Sequence, residues 1–223
     1  MTVLRVRVLP VLAVLAAVAA GCANPVQGSA TWPGDRLQRA ILTAADFPPG
    51  VTYDLLEDQS DTPDGAGGPP PMLSEPTGCT DGLTKVITAS AERGPGSALR
   101  YLVAYDGARI LVTVLSWPLD LDGLAAEAAR CASFEAFFDP SSDGIPMTTT
   151  PLDQGRPDVL AYRQTLRLGG EESSVYYWFA NAGRSAVFAV AFPTPNPAIS
   201  VKAALPQTFL ELAGRQTDRL GTR

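Results

Sequence analysis

The sequence predicts an α+β fold: a twisted, largely antiparallel sheet of five to six strands packed with three to four helices. Three observations predict it. Strand-length apolar runs, alternating or continuous, fill 98–105, 109–117, 159–168, 174–180 and 185–192. Short glycine-bearing breaks, Asp106-Gly107-Ala108 and Asn181-Ala182-Gly183, separate these runs as hairpin turns do. Apolar residues then recur at helical spacing near 120–138 and 201–212. No glycine fingerprint follows a strand, which removes a dinucleotide-binding doubly wound fold.

The elements follow in order. Residues 34–45 fit a first helix with Leu37, Ala40 and Ile41 on one face. Asp46-Phe47-Pro48-Pro49-Gly50 stops it, because proline cannot extend the hydrogen-bond ladder. A short strand is expected over 51–56. Residues 58–71, DQSDTPDGAGGPPP, read as a solvated loop. Asp58, Asp61 and Asp64 within it lack the spacing and the closing glutamate of a calcium-hand loop, so no metal is expected there. Near Cys79 a short helix would bring Leu83, Val86 and Ile87 to one face. The strands 98–105 and 109–117 follow, the second apolar on both faces and so expected to be central and covered on both sides. Asp120 or Asp122 can cap a helix whose stripe is Leu121, Leu124, Ala125, Ala128, Cys131, Phe134 and Phe138, ended by 139–144. Strands at 159–168, 174–180 and 185–192 form a meander that 193–197 breaks. Ser200 can cap a last helix on Val201, Ala204, Leu205, Phe209 and Leu212, and the polar tail beyond Gly214 is expected to fray.

The start of the chain sets the compartment. Arg5 and Arg7 precede an apolar segment, Leu9 to Ala20, that is shorter than the roughly 20 residues a membrane span needs. Ala19-Ala20-Gly21-Cys22 resembles the bacterial lipobox, so 1–21 reads as a lipoprotein signal peptide and Cys22 as the lipidated, palmitate-bearing first residue of the mature chain. Residues 22–33 then tether a single extracytoplasmic domain, 34–220, to the outer face of the cell membrane. With Cys22 acylated, the two remaining cysteines, Cys79 and Cys131, are free to form a disulfide in an oxidising space, worth about 4 kcal/mol by loop entropy.

Composition excludes several functions. The chain has no histidine, which removes a Ser-His-Asp hydrolase and the commonest metal ligand. Loss of the signal leaves 15 basic residues against 23 acidic, a net charge of −8, which disfavours nucleic acid and gains little from anionic lipid headgroups. No cofactor is implied.

The lipobox, the phrase Leu42-Thr43-Ala44-Ala45-Asp46-Phe47-Pro48-Pro49-Gly50 and the cysteine pair across hairpin and helix together resemble mycobacterial exported lipoproteins. They are similar to the extracellular sensor domain of PknH-type serine/threonine kinases, over about 31–220. That resemblance implies a cleft for a small ligand. The family carries two disulfides where this chain has cysteines for one, and there is no kinase part here, so sensing would pass through a partner.

Candidate ligand-binding residues are therefore aromatic and basic. Tyr176 and Trp178 share one strand face and Tyr177 and Phe179 the other, and with Trp117, Tyr162 and Phe188 they could line a groove for an apolar or glycan ligand or serve as core. Arg163 and Arg167, with Arg109, could hold an anionic group or lie on a solvated face. Glu171 and Glu172 are adjacent in a turn and do not make the opposed carboxylates of a hydrolase, so the chain is expected not to be an enzyme. The expectation is a ligand-binding or sensor-like lipoprotein; the alternatives are an accessory lipoprotein docking on an envelope protein or a carboxylate-dependent hydrolase.

Overall fold

The computed structural model describes residues 33–56, 72–85, 93–94 and 96–222. The signal peptide, Cys22, nearly all of the tether, the loop 58–71, and Val86 and Ile87 of the expected short helix lie outside these. Among the described residues the architecture is one nine-stranded antiparallel sheet with α-helices on both faces, an α+β fold.

In chain order the elements are α1 (Pro33–Ala40), β1 (Thr52–Leu56), β2 (Leu73–Glu75), β3 (Ala98–Tyr105), β4 (Gly107–Leu115), α2 (Leu121–Arg130), β5 (Ser133–Phe137), β6 (Ile145–Pro151), β7 (Val159–Leu168), β8 (Glu171–Ala182), β9 (Ser185–Thr194) and α3 (Gln207–Gly221). The strand order is β1-β3-β4-β9-β8-β7-β6-β5-β2. The β3–β4 turn is the expected Asp-Gly pair: Tyr105 faces Ala108, and Gly107 takes φ 100°, a backbone shape glycine reaches without strain.

Alternation sends the two faces to different partners. Tyr101, Val103, Ile110, Val112, Tyr176, Trp178, Val187 and Ala189 meet Leu37 and Ile41 beside α1 and Phe209, Leu212 and Ala213 of α3. On the opposite face Leu115, Trp117, Tyr162, Tyr177, Phe179 and Phe188 pack with Ala128, Leu121 and Leu124 of α2. A third small cluster surrounds the Cys79–Cys131 disulfide, whose Cα atoms are 5.4 Å apart.

Four expectations need correction. The sheet has nine strands rather than five to six, because β2 is only three residues long and the polar run IPMTTTP of β6 carries little apolar alternation. The helical stripe stops at Arg130: Phe134 and Ala136 are buried and Ser133 and Glu135 exposed, a period of two that makes β5, while Phe138 stands in solvent. The first helix ends at Ala40, five residues early, and 44–46 form a separate 3₁₀ turn. The last helix begins at Gln207 and runs to Gly221, so the tail beyond Gly214 does not fray. Its Gln216 and Thr217 are buried because their polar atoms are bonded.

The Leu42–Gly50 phrase is explained by this packing. Thr43 donates through both N and Oγ1 to Asp46 Oδ2 (2.7 and 2.9 Å), and Arg219 of α3 donates to Asp46 Oδ1 at 2.9 Å. Arg215 lies over the Phe47 ring and donates to the Asp46 carbonyl. The phrase fixes the link after α1 onto α3.

Candidate functional site

The aromatic candidates are distributed through the core rather than gathered. Trp178 is on the α3 face, and its Nε1 donates to Thr217 Oγ1 at 3.1 Å. Tyr176, on the same face, has its ring 6.3 Å from that of Phe209. Trp117 and Tyr162 lie on the opposite face, Trp117 beneath the Arg93 guanidinium and Tyr162 beside Phe179. All four are buried. Burial raises the Tyr162 phenol above its ordinary range and pushes Tyr177 up to about 12. Arg163 and Arg167 are exposed on the Tyr176 side of β7, and Arg167 spends its charge on Glu172 at 3.3 Å. Arg109 alternates with Ile110 and so faces the other way, three strands distant from β7. The three arginines do not converge on one anion.

What the structure does bring together is an open apolar depression at one end of the α2 face. Along β4 this face reads Leu115, Thr113, Leu111, Arg109; along β9 it reads Ala186, Phe188, Val190, Phe192. Both rows pass from fully covered to open. Leu115 is 0% exposed and Leu111 half-buried, while Ala186 is 0% and Phe192 43% exposed. The apolar side chains of α2 reach the Tyr162 and Phe179 end and leave the Arg109 end open among the described residues. Leu56, Leu102, Arg109, Leu111, Phe192 and Thr194 line a depression of about 350 Å³ there. That lies within the roughly 300–1,000 Å³ of small-molecule sites.

The register explains the grouping. Leu102 is opposite Leu111, and Arg109 is opposite Phe192. Facing positions have Cβ atoms about 5 Å apart, so Leu102 and Leu111 are neighbours on this face, as are Arg109 and Phe192. Among the described residues the Arg109 side chain has no hydrogen-bond or ion-pair partner. Beyond Leu111, the Thr113 hydroxyl is buried and likewise without a partner. Such an arrangement can hold an apolar chain and bond one anionic or carbonyl oxygen; it offers no acid-base pair. Among the described residues no cluster of His, Cys, Asp and Glu could hold a metal, and no helix is long and apolar enough to cross a membrane.

Of these lining residues only Arg109 stood among the sequence candidates. The apolar β4 run suggested a strand covered on both sides, and that is true only of its second half. Leu102 and Phe192 carried no signal apart from alternation.

The chain matches no protein-family model and no curated protein. Among solved structures it is similar to the X-ray structure of an uncharacterised Mycobacterium smegmatis protein, the Rv0999 ortholog. The two are 15% identical, with 85% of this chain and 95% of that one covered, at a TM-score of 0.44.

Proposed function

We propose that the chain is a non-catalytic, lipid-anchored extracytoplasmic lipoprotein with a sensor-like domain, related to the PknH-type sensors, that binds a small apolar or amphiphilic ligand such as a lipid or cell-wall glycolipid. Cys22 carries the anchor in this reading. The observation that supports it is the open depression of Leu56, Leu102, Leu111 and Phe192, with Arg109, which has no partner among the described residues, in its lining. Each methylene buried there contributes about 0.8 kcal/mol, and the guanidinium selects ligands with an oxyanion or carbonyl head.

The test is intact native mass spectrometry of the full-length chain, produced in an actinobacterial host and extracted in mild detergent, followed by denaturing spectra. A discrete one-to-one adduct that leaves on denaturation is expected. Phe192→Ser and Arg109→Gln, both at exposed positions, should each deplete it. An acylated, disulfide-bridged but empty protein would overturn a resident ligand and favour docking on an envelope protein, for which the exposed Phe192 would then be an anchor.

A further inference from the structure

A second cavity, of about 260 Å³, lies elsewhere in the molecule, between α1, the start of β9 and the end of α3. Arg36, Leu37, Arg39, Ala40, Ser185 and Leu220 line it. We propose that it is a binding site for a small oxyanion, a phosphate group in particular, independent of the apolar depression.

Three observations carry this. Arg36 and Arg39 lie three residues apart on α1, so they project from neighbouring positions of one helix surface. Among the described residues neither guanidinium has an ion-pair or hydrogen-bond partner, in a chain whose net charge is −6. Ser185 supplies the third group. It is 5% exposed as a residue and lines the cavity.

An oxyanion placed between this hydroxyl and the two guanidiniums would accept hydrogen bonds from all three. Arginine matches phosphate with paired N–H donors in a way that lysine does not. The apolar walls, Leu37, Ala40 and Leu220, limit the site to a compact group, and the volume falls below that of sites for drug-sized ligands. The acids nearby do not fill the role. Asp218 of α3 is held by Arg156 at 2.8 Å, and Asp46 by Arg219. Asp35, exposed at the start of α1, does not line the cavity.

A phosphate group can arrive free in solution or as a lipid headgroup, and two probes separate these sources. The full-length chain in non-ionic detergent is titrated calorimetrically with inorganic phosphate and, separately, with short-chain dihexanoylphosphatidylglycerol at low salt. Saturable one-site binding of at least one probe is expected. It should weaken about tenfold or more in Arg36→Gln/Arg39→Gln. Ser185→Ala should weaken it several-fold, and 0.5 M sodium chloride should weaken it as well. Arg163→Gln, which removes one exposed charge elsewhere, should leave it unchanged. Binding of phosphate alone identifies a free anion, and binding of the diester identifies a headgroup. Failure of both probes to bind, or binding that survives Arg36→Gln/Arg39→Gln or falls equally in Arg163→Gln, overturns the site. Because neither variant touches Arg109 or Phe192, failure here leaves the apolar depression to its own test.

Discussion

Gln216 does at one position what a hydrophobic residue could not. It is 0% exposed in the middle of α3. Its Oε1 accepts from Leu42 N and from Tyr101 Oη, both at 2.9 Å, and its Nε2 donates to Ala40 O at 3.0 Å. The side chain therefore closes the end of α1, the link behind it and β3 onto α3. Burial together with the nearby Tyr53 holds the Tyr101 phenol well above its ordinary range, so it remains a donor. Gln216→Leu keeps the bulk but strands three buried polar groups. The expected loss is about 2–4 kcal/mol in urea unfolding, with the m-value unchanged. Asp46 makes a pH-dependent counterpart. Its hydrogen bonds from Thr43, assisted by Arg219, hold its carboxyl below the usual range. The folded state binds that proton more weakly than the unfolded chain does. The stability gained is thus complete above the ordinary carboxylate value, near 3.9, and lost as pH falls through the lower folded value. Wild type and Asp46→Asn should converge in denaturant midpoint as pH is lowered from 5 to 3, with wild type the more stable at pH 5.

At the scale of elements, the disulfide joins the turn after β2 to the end of α2, across 52 residues. Both sulfurs lie in a cluster with Phe134, Ala136 and Ile145, at the β2 edge of the sheet. The Cys79→Ser/Cys131→Ser variant should lose up to about 4 kcal/mol in denaturant unfolding. Amide exchange should rise first in β5 and β2, while β8 and β9 stay protected. Strands with long apolar runs, β3, β4, β7, β8 and β9, could be read from sequence to within about three residues at each end. β5 could not, because Cys131, Phe134 and Phe138 fit a helical stripe as well as Phe134 and Ala136 fit a strand. Tertiary pairing with β6 decides between them. The candidate site was still less legible. Tyr176, Trp178 and Tyr162 looked like ligand residues because aromatic side chains serve cores and grooves alike. What separates the two uses is which helix lies over which end of a face, and local sequence does not encode that.

At the scale of the whole molecule, β9 is the keystone. It runs between β4 and β8, and so joins the β1-β3-β4 hairpin group to the β2-β5-β6-β7-β8 group. Of its ten residues, the first seven are buried. Each half on its own would show an unpaired apolar strand, β4 or β8, to any other chain.

This arrangement sets a schedule. The β4–β9 ladder matches residues about 80 positions apart, and such distant pairings are slow to form because the intervening chain must first be closed. A chain emerging from its N-terminus, from a ribosome or through a membrane pore, has made α1, α2 and eight of the nine described strands before the strand that unites them appears. For that interval it is two incomplete sheets with bare central edges, and a chaperone that shields β4 and β8 until β9 and α3 arrive would act on the step at which this protein is most exposed to misassembly.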